Sequence, residues 1–107
     1  MEDLPRPLLP RKPPAMRILV VEDSAMMRRI LVESLKKWHY DVVETEHGTQ
    51  GWELFQEERF PLVLTDWMMP GLDGIELTQR IRSLDSAGYT YIILLTAKSE
   101  KTDLVKA

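Results

Sequence analysis

Three carboxylates in this chain stand at positions where a reaction could be carried out. Glu22 and Asp23 follow the apolar run Ile18-Leu19-Val20-Val21, and Asp66 follows Leu62-Val63-Leu64-Thr65. A single acid closing a strand is most often a solvated turn residue or a helix cap. Three acids at equivalent strand ends are harder to explain that way, because like charges held close repel unless a proton or a cation relieves them. A divalent cation is the economical answer. Carboxylate oxygens, a backbone carbonyl and retained waters suit Mg2+, which also binds readily beside phosphate oxygens. The matching chemistry is phosphoryl transfer, with one carboxylate as nucleophile and the metal neutralising charge. Asp66 is the best-placed nucleophile.

Those acids meet only if the chain between them folds as a parallel sheet. From Met16 onward, short β-branched runs alternate with helix-period segments, the pattern of parallel strands joined by crossover helices. Strands are expected at Ile18 to Val21, Asp41 to Thr45, Leu62 to Thr65 and Tyr91 to Leu95. The first, third and fourth are nearly unbroken apolar runs, as in strands covered on both faces, whereas the second reads as an edge strand. Ser24 is placed to cap a helix whose positions Met27, Ile30, Leu31, Ser34, Leu35 and Trp38 form one buried stripe, with Arg28, Arg29, Lys36 and Lys37 on the solvent face. A second helix, about Gly48 to Glu58, turns Leu54 and Phe55 inward. A third, about Gly74 to Leu84, turns Leu77 and Ile81 inward after Asp73 as its cap, and a fourth starts near Ser99. In a doubly wound sheet, ligands bind beyond the carboxyl ends of the strands where strand order reverses. If the first and third strands flank that point, the three acids converge there.

Composition narrows the alternatives. The 107 residues, 44% of them apolar, suffice for one domain with an ordinary core. No apolar run approaches the roughly 20 residues of a membrane span, and Met1-Glu2-Asp3 lacks the basic flank and apolar core of a secretory leader. With no cysteine, disulfides and thiolate metal sites are excluded, and a cytoplasmic location is expected. A net charge of -3 offers no broad attraction for nucleic acid, so direct DNA binding is not expected. GxxxxGK and GxGxxG are both absent, which leaves nucleotide binding without support. Residues 1–15 hold five of the seven prolines and are expected to form an extended or disordered tail ahead of a domain spanning 16–107. Pro7-Leu8-Leu9-Pro10-Arg11-Lys12 has the PxxPx(+) pattern of SH3 ligands, which arises often by chance. The histidines, His39 and His47, both fall away from the acidic residues in the expected fold, and Trp67 reads as a partly exposed loop aromatic.

The strings ILVVEDS (18 to 24), LVLTDWMMPGLDG (62 to 74) and ILLTAK (93 to 98), in that order and spacing, resemble the three signature blocks of response-regulator receiver domains. The similarity covers about residues 16 to 107. It implies a flavodoxin-like α/β fold with parallel strand order 2-1-3-4. It also implies that Asp66 is the phosphoacceptor and that Glu22 and Asp23 hold Mg2+ directly or through water. Met68 would supply a backbone carbonyl to the metal, Thr96 the switch hydroxyl, and Ala97 the small residue that leaves room for the phosphoryl group. Pro70-Gly71 matches the turn after the acceptor, while Met68 and Lys98 occupy the two variable positions that tune dephosphorylation in the family.

The resemblance is not complete. A receiver domain continues past the fourth helix to a fifth strand ending in Lys-Pro and to a fifth helix, and neither is found in these 107 residues. The fourth helix still runs at Ala107 without a stop signal, so the ending reads as a cut, and the expected fold is a (βα)4 portion of a (βα)5 domain. The leading expectation is a phosphorelay receiver, not a turnover enzyme, that accepts a phosphoryl group on Asp66 from a sensor histidine kinase or phosphotransfer protein. The alternative is a phosphorylation-impaired assembly module. With order 2-1-3-4, Tyr91 to Leu95 would be an open apolar edge, and homo-oligomerisation through that strand is expected. A hydrolase using the same pocket is disfavoured, since Met68 stands where aspartate-nucleophile phosphatases have a second Asp.

Overall fold

In the computed structural model, which describes residues 16–84 and 89–95, seven elements alternate along the chain. They are β1 (Arg17–Val21), α1 (Ala25–Lys37), β2 (Asp41–Thr45), α2 (Gly48–Glu57), β3 (Leu62–Asp66), α3 (Gly74–Arg82) and β4 (Tyr91–Leu95). All pairings are parallel, in the order β2-β1-β3-β4. The chain moves from β1 to β2 in one direction and from β2 back across β1 to β3 in the other. With right-handed crossovers, that reversal puts α1 on one face of the sheet and α2 and α3 on the other. The two cores agree with this. Ile18, Val20 and Leu64 pack with Val32 of α1, whereas Leu19, Val21 and Val63 pack with Phe55, Leu77 and Ile81. Residues of β1 alternate between these cores, and Ile18 to Val21 have no exposure, which is why the strand reads as an unbroken apolar run. Each large side chain so buried contributes about 1.5–3 kcal/mol.

Helices α1 and α3 start as their capping residues require. The Ser24 hydroxyl accepts from the Met27 N–H, and Asp73 forms a reciprocal capping box with Glu76. Phe55, Leu77 and Ile81 face inward as expected, and Leu54 packs at the edge of the same core. At the opposite end of the sheet Arg17 bridges Asp41 and Glu58, with its guanidinium over the Phe60 ring.

Two expectations are corrected. The stripe of α1 that meets the sheet runs through Arg28, Leu31, Val32 and Leu35, while Ile30 is 52% exposed, Trp38 67% exposed, and Ser34 also faces out. The cause is the roll of the helix. It lies against β1 and β2, so its 28–32–35 edge meets Glu44 and the sheet, and its 30–34 edge turns away from β2. Arg28, expected in solvent, is thereby drawn in. The second concerns β4: its unbroken apolar run suggests cover on both faces, but strand order 2-1-3-4 makes it the expected edge, and the strand order decides. Among the described residues only β3 pairs with it, and Tyr91 is 76% and Ile93 49% exposed. The expected fourth helix and residues 96–107 lie outside the described residues, as do 1–15.

Candidate functional site

The sheet register assembles the site. Val21 of β1 is level with Thr65 of β3, so the next residue of each strand, Glu22 and Asp66, emerge side by side at the carboxyl end of the sheet, where strand order reverses. Asp23 follows directly. One carboxylate oxygen from each of Glu22, Asp23 and Asp66 lies within 4.8 Å of the others, with Glu22 and Asp66 buried and Asp23 half-buried. The conditional expectation from strand spacing is met.

Each acid is held by its surroundings. The Glu22 backbone N–H donates to the Thr45 carbonyl (3.1 Å), and one carboxylate oxygen accepts from the Ser24 N–H (3.0 Å). The Glu22 carbonyl accepts from Arg28 Nη1 (2.8 Å), while Arg28 Nε pairs with Glu44 of β2 (3.3 Å). Arg28 thus fastens the β1–α1 turn to the neighbouring strand. On the other side the buried Thr65 hydroxyl donates to the Asp66 carbonyl (3.0 Å), and the Gly74 N–H donates to the Trp67 carbonyl (2.9 Å), closing the 67–73 loop onto α3.

Burial sets the charge state. It pushes the Glu22 carboxyl up from an ordinary 4.5 to about 7, helped by the negative charge of Asp66 and opposed by the Ser24 N–H. Asp66 is raised too, first by burial and then by Asp23, while hydrogen bonds from Glu22 and the Trp67 N–H hold it down. Both carboxyls are thus pushed toward the protonated form, and burial is the first cause in each.

The buried Asp23 Oδ1 has no hydrogen-bond partner. Buried polar atoms in folded proteins are nearly always satisfied, and an unpartnered carboxylate oxygen on a residue of a three-carboxylate cluster fits a cation ligand. An all-oxygen, partly buried donor set fits a hard divalent ion such as Mg2+.

Of the remaining candidates, Met68 lies in the loop after β3 with its side chain exposed, and Trp67 is half-buried there. Pro70-Gly71 lies in a bend of that loop, Gly71 having a φ of 78°. Neither His39 nor His47 belongs to the acidic cluster. Thr96, Ala97 and Lys98 lie outside the described residues. Sequence reasoning missed Arg28 and Thr65. For Thr65 a signal existed, since a lone hydroxyl ends an otherwise apolar strand beside an acid. Arg28 looks like any solvent-face cation until the roll of α1 is known.

A family model for the response regulator receiver domain matches residues 18–107. A chemotaxis protein CheY homolog of Campylobacter jejuni is 37% identical over 94 residues, covering 86% of this chain and 72% of that protein. Chemotaxis protein CheY1 of Helicobacter pylori is 38% identical over 94 residues, covering 86% and 76%. Among solved structures, the receiver domain of the sensor histidine kinase PA1611 from Pseudomonas aeruginosa superimposes with a TM-score of 0.75 at 28% identity, covering 86% of this chain and 75% of that one. That structure has a magnesium ion coordinated in its active site cleft.

Proposed function

The chain belongs to the response regulator receiver domain family, and on that footing we propose that it accepts a phosphoryl group on Asp66 from a sensor histidine kinase or a phosphotransfer protein, with Mg2+ held by Glu22, Asp23 and Asp66. The observation that carries this reading is the convergence of those carboxylates within 4.8 Å, one of them with an unpartnered buried oxygen. Asp66 is the acid that closes β3, and the Trp67 N–H and a hydrogen bond from Glu22 favour its ionised form against the upward push of burial.

An Asp66 oxygen forms the new P–O bond as the donor's P–N bond breaks, and the electron pair of that bond returns to the donor imidazole. Bound Mg2+ would neutralise charge on the phosphoryl oxygens and the surrounding carboxylates. Thr65 and Trp67 hold the acceptor by its backbone and its carboxylate, and Arg28 holds the turn that carries Glu22 and Asp23. Met68 would contribute a carbonyl to the metal, and Thr96 and Ala97, which lie outside the described residues, would supply the switch hydroxyl and the small residue beside the phosphoryl group. The acyl phosphate carries roughly 1.5 to 2 negative charges in place of the single carboxylate charge of Asp66, a change that a partner would read. This takes place in the cytoplasm, and the domain acts as a phosphoacceptor, not as a turnover enzyme.

Incubating the chain with Mg2+ and a small acyl phosphate is expected to add the mass of one phosphoryl group, and Asp66→Asn is expected to abolish the gain. Absence of any gain in the unsubstituted chain would turn the reading to the second one, an assembly module that associates with a copy of itself through β4. That reading has its own support in β4, which among the described residues pairs only with β3, with Tyr91 and Ile93 exposed and no charge interrupting the strand.

A further inference from the structure

The acidic residues come from two separate stretches, the β1–α1 turn and the end of β3 with its following loop, and one helix touches both. The first turn of α2 presents Gly48 and Gly51, three apart and so on one side of the helix. A Cβ on Gly51 would stand 2.8 Å from Val21 Cγ2, on the residue just before Glu22 and Asp23. A Cβ on Gly48 would stand 1.9 Å from the Leu72 carbonyl oxygen and 2.9 Å from its carbonyl carbon, in the loop that follows Asp66. The second contact is backbone against backbone, with no flexible side chain to yield. The N-cap of this helix, His47, makes no side-chain hydrogen bond, so capping does not account for where the turn sits.

We propose that Gly48 is a positioning residue for the acidic pocket: the bare first turn of α2 is a spacer between Val21 and Leu72 that sets how far Asp66 stands from Glu22 and Asp23. The inference rests on the functional reading above and adds to it a residue that touches neither metal nor phosphoryl group. A side chain at position 48 has to push Leu72 outward. Because the loop is closed at Gly74 onto the Trp67 carbonyl, and a Cβ at Gly74 would itself stand 2.2 Å from the Asp66 carbonyl oxygen, the push reaches the acceptor strand end instead of dissipating in the loop. A pocket whose ligands come from both sides of the spacer then loses its fit to a small, geometrically strict cation. The coupling is reciprocal: a cation drawing the two stretches together tightens the turn of α2 held between them.

The test is calorimetric titration with MgCl2 of the unsubstituted chain, Gly48→Ala, and Val32→Ala. The last lowers stability through the core on the opposite face of the sheet. Gly48→Ala is expected to weaken Mg2+ binding by about tenfold, with Val32→Ala unchanged. Unaltered affinity in Gly48→Ala, or equal weakening in both variants, overturns the inference. An unsubstituted chain that takes up no Mg2+ sinks the functional reading and the inference with it. If Gly48→Ala does not fold, amide exchange of the unsubstituted chain decides. Mg2+ is expected to slow exchange at Gly51, whose N–H donates to the His47 carbonyl, more than at Ser83, whose N–H donates to the Gln79 carbonyl at the end of α3. No slowing, or equal slowing at the two sites, overturns it.

Discussion

A carboxyl group buried beside two others must hold a proton or share a cation, and Glu22 makes that choice measurable. Its pKa is about 7 in the metal-free fold against 4.5 ordinarily. Between those values the native chain keeps a proton that the unfolded chain has released, so the native state binds more protons and stability falls as pH rises through the window. The contribution is fully present below the ordinary value and is lost above about 7. Metal-free protein is expected to lose on the order of 1–3 kcal/mol between about pH 5 and about pH 8, read by urea unfolding at each pH. Glu22→Gln should flatten that slope, since the amide has no proton to release. Saturating Mg2+ should flatten it from the other side by favouring the ionised form. A slope that is the same in Glu22→Gln would assign the effect to other groups.

The helices and strands carry their own tests. Helix α1 ends in a Schellman motif: the His39 N–H donates to the Lys36 carbonyl (2.9 Å), and the Tyr40 N–H to the Leu35 carbonyl (3.1 Å). The motif needs a left-handed residue after the cap, and that residue is His39, with a φ of 69°. A side chain there costs about 1–2 kcal/mol, part of which glycine forfeits through its freer unfolded state. His39→Gly is therefore expected to raise stability by about 0.5–1 kcal/mol in chemical unfolding, without altering Mg2+ affinity. A loss of stability would mean that the imidazole makes contacts worth more than the backbone strain. The exposed imidazole gives no sign of such contacts. The end of α1 was not legible in the sequence, because the usual marker, a glycine, is replaced by histidine. The caps at Ser24 and Asp73 were legible, since residue type and position there agree with the hydrogen bonds formed.

Among the described residues β4 is an edge strand of the sheet that is apolar along its length. Parallel sheets keep both faces covered, and a strand of five apolar residues with 76% exposure at Tyr91 and 49% at Ile93 departs from that rule at an edge that carries no charge. Light scattering is expected to show concentration-dependent association of the 107-residue chain, and Ile93→Lys, which sets a charge on that strand, is expected to shift it toward monomer. A monodisperse monomer at all concentrations would refute the association. Among the described residues no helix is long and apolar enough to cross a membrane.

Strand and helix positions, the two helix caps and the identity of the acids at the strand ends all follow from local pattern: apolar period, capping chemistry, and an abrupt change from apolar to acidic residues. The order of the strands came with the family resemblance, not from the pattern. Contact between remote segments is another matter. The pairing of Val21 with Thr65, the roll of α1 that draws Arg28 in and leaves Ile30 out, and the seating of Gly48 on Leu72 exist only in the assembled fold. Each depends on how surfaces far apart in the chain pack against one another, and a single sequence carries no local signature of packing. The acids are thus written along the chain, while the pocket they form is a product of sheet register and of one bare helical turn.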